Sequence, residues 1–516
     1  MTLRSFWLAL ALIGLAAKSG VAAEHRLSPG DIHELQADLI LTEDDTVDFR
    51  GTPEKPITIR GGGHQIRTGE NWRGELRLRH IKLSDLGRAG INPEIPAIDL
   101  VAGGTAKVDI EECTFSACGG VRLTNQGESQ ASFRRNTILA DSLVAVSKDV
   151  GASRDCFLAR GNSPAPKFFQ GNRIFKGHCT FESPRWLIGG DTDAESNLLI
   201  GHRIKIVARG NTSIIRGNYL HVLMPRNAEF PYWSQVSTVD PGGNLLEHNV
   251  IRDGEWIVQM FEGEVRYNVI CDINDHNLIR NGSAGKVHHN LFHVGKPEHP
   301  PGSMSAFIYI VYPPKNAGEG MEIYNNTFDG CGIFEPPGVE VCEGGFVRSL
   351  RNNAFCNMKL TKYFALPPAV VRPSWQEKSA QALERLGYAD YNLFHNPLAK
   401  EPRNYSLQVA GKSLRQDTGF GKHDVPTGGP IDAQVDPQFS RQTPTSFPFR
   451  DEEIVAGRVT VSGMLRHFRE VYTPRPGSPL LDSGDPADGE GTDIGAIGGG
   501  KTHPADQFGR WAEAKP

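Results

Sequence analysis

Short apolar pairs, each introduced by an asparagine, recur along most of this chain. His248-Asn249-Val250-Ile251 is followed nineteen residues later by Tyr267-Asn268-Val269-Ile270. The phrase returns at Arg135-Asn136-Thr137-Ile138, Gly171-Asn172-Arg173-Ile174, Gly217-Asn218-Tyr219-Leu220, His289-Asn290-Leu291-Phe292, Asn325-Asn326-Thr327-Phe328, Asn352-Asn353-Ala354-Phe355 and Tyr391-Asn392-Leu393-Phe394. Degenerate copies at His80-Ile81-Lys82-Leu83 and Cys113-Thr114-Phe115 keep the register. The intervals vary, with 19 residues from Asn249 to Asn268 and 39 from Asn353 to Asn392, as one repeating turn with loops of unequal length requires. So short a repeat cannot bury its own apolar face and must stack on copies of itself. The apolar runs are brief, β-branched and broken by Gly, as in Ile204-Lys205-Ile206-Val207 and Phe307-Ile308-Tyr309-Ile310-Val311, so they predict strands rather than helices. In leucine-rich repeats the Asn follows a Leu-x-Leu strand; here it precedes the apolar residue. The pattern predicts an all-β fold, a parallel β-helix solenoid with loop insertions. Each Asn sits at a corner, where its amide satisfies backbone groups of its own and neighbouring coils.

The ends of the chain read differently. Residues 1–23 combine an early charge at Arg4, an apolar run from Phe6 to Ala17 and the small residues Val21-Ala22-Ala23, the features of a secretory signal peptide. The mature protein is then expected to begin near Glu24 and to be secreted or periplasmic. No later stretch is long and apolar enough for a membrane span. The solenoid is expected over residues 24–500, with a C-terminal tail at 501–516. One inserted helix is expected at about 374–386, where Ser374 and Glu377 form a capping box and Gly387 stops the run.

Charge and cysteines narrow the picture further. Lys+Arg number 55 against 60 Asp+Glu, a net charge of −5, and losing Arg4 and Lys18 with the leader makes it more negative. That balance argues against bulk nucleic-acid binding. Eight cysteines in an exported chain suit disulfides, with Cys331/Cys342, Cys113/Cys118 and Cys156/Cys179 as local partners, or buried thiols. Their spacing matches no zinc signature.

Two further stretches carry a family resemblance. Gly51-Thr52-Pro53-Glu54-Lys55-Pro56-Ile57-Thr58-Ile59-Arg60 resembles the opening strand of exported β-helix proteins, and Gly477-Ser478-Pro479-Leu480-Leu481-Asp482-Ser483-Gly484-Asp485-Pro486 with Thr492-Asp493-Ile494-Gly495-Ala496 resembles their closing coil. With the Asn repeat, these make the chain look like a member of the right-handed parallel β-helix superfamily, the architecture of pectate lyases. The resemblance implies a polysaccharide partner and leaves the reaction open, because one solenoid hosts lyases, hydrolases, epimerases and adhesins.

Function must come from side chains that stacking brings together. Aligning the coils at their strand ends places Arg209-Gly210, Asp240-Pro241-Gly242-Gly243, Glu262-Gly263 and Asn281-Gly282 in one line. On that alignment Asp240 and Glu262 form a carboxylate pair flanked by Arg209 and Asn281; the plain alternative is that polar residues before Gly make good turns. His276, Arg280 and His288 occupy the same coils, Trp256 lies beside them, and Trp233 sits in the long loop between Asn218 and Asn249. Aromatic rings stack on sugars and Arg holds a uronate carboxylate in a fork. His288 and His289 are expected to point to opposite faces, so one zinc would not take both.

Two enzymatic readings follow. In β-elimination Arg209 or Arg280 neutralises a uronate carboxylate and His276 takes the C5 proton. The family habit implies calcium held by Asp240 and Glu262. In hydrolysis the same two carboxylates serve as acid and base or nucleophile. The third reading is a non-catalytic glycan-binding or cell-surface solenoid. A second calcium candidate is the Asp-rich run from Asp482 to Asp493, against a Gly-rich closing turn.

Overall fold

A computed structural model describes residues 22–69, 72–88, 95–139, 155–175, 177–201, 204–209, 212–223, 237–253, 256–260, 262–272, 277–281, 284–293, 306–316, 318–331, 338–341, 344–357, 369–371, 384–396, 407–409, 412–413, 420–425 and 435–498. Residues 1–21 of the expected signal peptide, residues 374–383 of the expected inserted helix, Cys342 and the 501–516 tail fall outside them. The chain divides into two compact units, Met1–Phe168 and Phe169–Pro516.

Both units are right-handed parallel β-helices in which each coil gives one strand to each of three sheets. In the first unit, the coil Thr46–Arg50, Ile57–Arg60, Ile66–Thr68 is followed in register by Glu75–Arg79, Ile81–Ser84, Ile98–Ala102. Inward positions stack like on like: Val47, Leu76, Val108 and Ala131 form one row, and Phe49, Leu78, Ile110 and Phe133 the next. All of these are buried. Cys113 and Cys118 do not bond to each other: the Cys113 thiol donates to the carbonyls of Leu78 and Glu111, and that of Cys118 to Leu83.

In the second unit the same logic gives a stack of rings. Phe292, Phe328, Phe355 and Phe394 lie nearly parallel with centroids 4.7, 4.8 and 5.3 Å apart, which is the strand spacing itself. The corner between the first and second sheets is the Asn position. The residue before it takes the left-handed conformation, with φ of 55° at His248 and Tyr267 and 54° at His289. Asn218, Asn249, Asn268, Asn290, Asn326, Asn353 and Asn392 then form a buried ladder. Each backbone N–H donates to the next amide oxygen at 2.9–3.1 Å, and Asp424 accepts from Asn392 at 2.8 Å.

The solenoid is expected to run to residue 500. Its last described strands are Leu407–Val409 and the antiparallel Lys412–Ser413, and residues 435–498 fold back as a cap containing helices α1 (Asp451–Val455) and α2 (Val461–Tyr472). Thr460 caps α2, its hydroxyl accepting from Gly463 N at 3.1 Å. Val461, Met464, Leu465, Phe468, Val471 and Tyr472 form its buried face. That face lies on the outward residues Tyr219, Val250, Val269 and Leu291 of the second sheet. The equivalent outward row in the first unit is Thr58, Lys82, Thr114 and Thr137, none of them buried. The run Asp482 to Asp493 fastens the cap: Asp488 takes a fork from Arg351 at 2.7 and 2.8 Å, and Asp485 accepts from Tyr388 at 2.8 Å.

Candidate functional site

The second unit presents three outer faces with different fates. The first-to-second corner is a tight turn held by the Asn ladder, and the second sheet is covered by α2. The longer linkers all border the third sheet: 223–236, 294–305, 330–338, 357–368 and 396–406 lead into it from the second sheet, and 311–320 and 372–388 lead from it to the first. The outer face of the third sheet is therefore the one bordered by segments long enough to shape a binding surface.

Its strands Ser237–Gly242, Trp256–Met260, Asn277–Asn281, Ala306–Ile310 and Val339–Val341 pair in sequence order and set one register row. Ile308 and Ile310 are fully buried while Tyr309 between them is half-exposed, which fixes the outward parity. Gln259 pairs with Arg280, Arg280 with Tyr309, and Tyr309 with Glu340. Asp240 pairs with Val207 on the preceding strand. A bulge follows, since Val239 pairs with Val258 but Gly242 with Met260, so Asp240 and Pro241 together oppose Gln259. Arg280 and Tyr309 are one strand spacing apart, about 4.8 Å, and Asp240 is about 10 Å from Arg280. Glu340 shares the row yet is only 4% exposed.

The register corrects the expected line of polar residues before Gly. Asn281 pairs with Met260, which pairs with Gly242, not Asp240. Glu262 lies two residues beyond Met260, past the strand end, and its carboxylate is ion-paired with the exposed Lys315. Asp240 and Glu262 are thus not opposite one another in the register. Arg209 lies exposed just past the strand Lys205–Ala208, its N–H donating to Phe181 at 2.8 Å. Trp256 opens its strand, paired with Ser237 and Asn277. Trp233 and His276 fall outside the described residues.

His288 belongs elsewhere, on the first sheet. There Arg216, Glu247, Arg266, His288 and Tyr324 form a row of alternating charge and aromatic character. Glu247 is buried between Arg216 and Arg266, bonded to their Nε atoms at 2.6 and 2.7 Å. His288 Nε2 meets Glu264 at 2.8 Å, and that bond, with Arg266 nearby, holds the Glu264 carboxyl down at about 2. Burial lowers the His288 pKa. The left-handed corner turns His289 back, so the two adjacent imidazoles converge with Nδ1 atoms 2.7 Å apart rather than diverging as strand alternation would have them. The cations Arg216, Arg252 and Arg266 are consumed in such internal pairs.

Tyr309, Glu340 and Gln259 are the row members that sequence inspection did not single out. Their signal was present: Ile308-Tyr309-Ile310 and Val339-Glu340-Val341 each place one polar group between two inward apolar ones.

No family model matches the chain, and no curated protein matches it in sequence. Among solved structures it is similar to the periplasmic alginate epimerase AlgG, with 11% identity, a TM-score of 0.34, and coverage of 61% of this chain and 76% of the other. It is also similar to a mannuronic-acid-specific polysaccharide family 6 lyase from human gut microbiota, with 13% identity, a TM-score of 0.19, and coverage of 75% and 91%.

Proposed function

We propose that this protein acts on polysaccharide outside the cytoplasm, as a lyase that cleaves a uronate-containing glycan by β-elimination at the third-sheet face of its second unit. The observation that carries the reading is the register row Asp240, Gln259, Arg280, Tyr309, Glu340, in which a cation and a phenol are adjacent. Elimination needs that combination. A guanidinium forked onto the uronate carboxylate stabilises the charge that develops when C5 loses its proton. The C5–H pair becomes the C4=C5 bond, the C4–O pair leaves with O4, and O4 takes a proton. Arg280 supplies the fork. Tyr309, one strand away, is placed to move a proton at C5 or O4, and His276, immediately before the strand Asn277–Asn281, is the second group for that role.

Hydrolysis asks for two carboxylates about 5 to 9.5 Å apart. Asp240 and Glu340 are four strand spacings apart, about 19 Å, and Glu262 is engaged by Lys315. The row therefore favours elimination. Among the described residues no helix is long and apolar enough to cross a membrane. The test is incubation of the mature chain with uronate-containing and neutral polysaccharides, reading ultraviolet absorbance of unsaturated products alongside reducing ends. Absorbance gained on a uronate supports elimination. Reducing ends without absorbance mean hydrolysis, and silence on every glycan moves the assignment to a binding solenoid.

A further inference from the structure

A second group of chemically active side chains lies on a different sheet, beneath the cap. Leu291–His293 and Thr327–Asp329 are neighbouring strands of the second sheet, and their register pairs His293 directly with Asp329. Two residues on, Cys331 has φ of 51°, a turn that brings its thiol back over the strand ends. Its Sγ is 3.4 Å from His293 Nδ1 and 3.9 Å from Nε2. The candidate ligand atoms of His293, Asp329 and Cys331 all fall within 4.8 Å of one another, and among the described residues no other such group of His, Cys, Asp or Glu occurs.

We propose that His293, Asp329 and Cys331 bind a borderline-soft divalent cation of the zinc class, at the junction of solenoid and cap. The donor set is the first argument. Imidazole, thiolate and carboxylate together suit zinc or cobalt, whereas calcium and magnesium take oxygen alone. Spacing is the second. Nitrogen and sulfur ligands on a tetrahedral zinc are about 3.6 Å apart by its bond lengths, and Cys331 Sγ lies 3.9 Å from His293 Nε2, close to that spacing.

Orientation by surrounding groups is the third. Asp329 Oδ1 accepts from Cys331 N at 2.8 Å and from Asn357 Nδ2 at 3.1 Å, and Oδ2 accepts from the Tyr472 hydroxyl at 2.8 Å. The Tyr472 oxygen also lies 2.7 Å from His293 Nδ1. With its proton committed to Asp329, the phenol accepts from Nδ1–H, which fixes the ring and leaves Nε2 a lone pair. His293 and Asp329 are fully buried and Cys331 is partly accessible, so an ion has a way in and a dry seat. Because Tyr472 is the last residue of α2, the ion would tie the cap to the solenoid, remote from the third-sheet row and independent of the reaction proposed there.

Cobalt(II) titration of the full chain tests the assignment, since a thiolate bound to cobalt adds a ligand-to-metal charge-transfer band in the near ultraviolet. One equivalent is expected to bind, with that band present. Cys331→Ser is expected to abolish the band and weaken zinc binding at least tenfold, and Asp329→Asn to weaken it comparably while keeping the band at saturation. Circular dichroism of each variant verifies folding, and Tyr472→Phe, which keeps all three ligands, is expected to keep the stoichiometry. No saturable binding, or a charge-transfer band that persists in folded Cys331→Ser, overturns the site and leaves a His–Tyr–Asp hydrogen-bond relay in its place.

Discussion

The imidazole of His221 bonds through Nδ1 to the carboxylate of Asp451, 2.8 Å away and 230 positions further along the chain. Its Nε2 faces Asp253 at the same distance, so both ring nitrogens meet carboxylate oxygens and the cation is the form that satisfies both. This pair joins the second sheet to the first residue of α1, and Tyr219 adds a hydroxyl donor to Asp451 at 2.8 Å.

A pH dependence follows from that geometry. Burial opposes the charged ring and Arg252 repels it, but the bonds to Asp253 and Asp451 prevail and raise the His221 pKa. A pKa raised on folding gives stability that is complete below the unfolded value, near 6.5, and is lost as pH climbs through the folded value. Attachment of the cap is therefore expected to weaken as pH rises above about 6.5. Limited proteolysis and denaturant unfolding across that range measure it, and His221→Gln should flatten the dependence. An unchanged slope in the variant would remove His221 from the account.

The Asn ladder predicts a cost that no single contact would suggest. Asn268 accepts from the backbone of Asn249 at 3.0 Å and donates to the carbonyls of Leu246 and Arg266 and to the amide of Asn290. Asn268→Ala strands buried partners on three coils, so a loss of about 3 kcal/mol is expected from urea unfolding, against near neutrality for the exposed Lys286→Ala.

Phe468 tests whether α2 is held mainly by packing. It is fully buried, edge-on to His293 at 5.3 Å and stacked on Phe447 at 6.0 Å. Phe468→Ala is expected to cost about 3 to 5 kcal/mol. Because the cap is a peripheral element, the loss should appear as cleavage within 435–498 before the solenoid melts.

Much of this architecture is legible in the sequence because a solenoid writes its core at fixed positions. Ile251, Ile270, Phe292 and Phe328 follow the corner Asn at the same offset, and they stack. Asn197 continues the ladder and carries the recurring phrase, Asn197-Leu198-Leu199, although the short helical turn Asp193–Glu195 precedes it and Ser196 is extended at φ −65° rather than left-handed. The cap is less legible. The spacing of Val461, Met464, Leu465 and Phe468 is helical, but its meaning depends on the outward row changing from Lys82 and Thr114 to Val250 and Val269. The Asp240 register could not be read from spacing, because a one-residue bulge at Asp240-Pro241 shifts every strand-end alignment beyond it.

The proposed reaction site is best tested by contrast between one acid outside the row and two row members. Arg280 and Tyr309 are register partners on neighbouring strands, whereas Glu262 lies past the strand end in a surface pair with Lys315, and such pairs contribute little. On a uronate glycan that the wild type cleaves, Tyr309→Phe is expected to lower kcat by about 100-fold or more, the scale of losing one proton-transfer group. Arg280→Lys keeps the charge but loses the fork, so kcat/KM should fall while some turnover remains. Glu262→Gln should stay within about twofold of wild type, since removing a surface charge pair leaves folding and the row intact. If Glu262→Gln instead abolishes turnover while Tyr309→Phe leaves it whole, the chemistry lies at the strand ends near Lys315, and the carboxylate rather than the arginine and phenol is the centre of it.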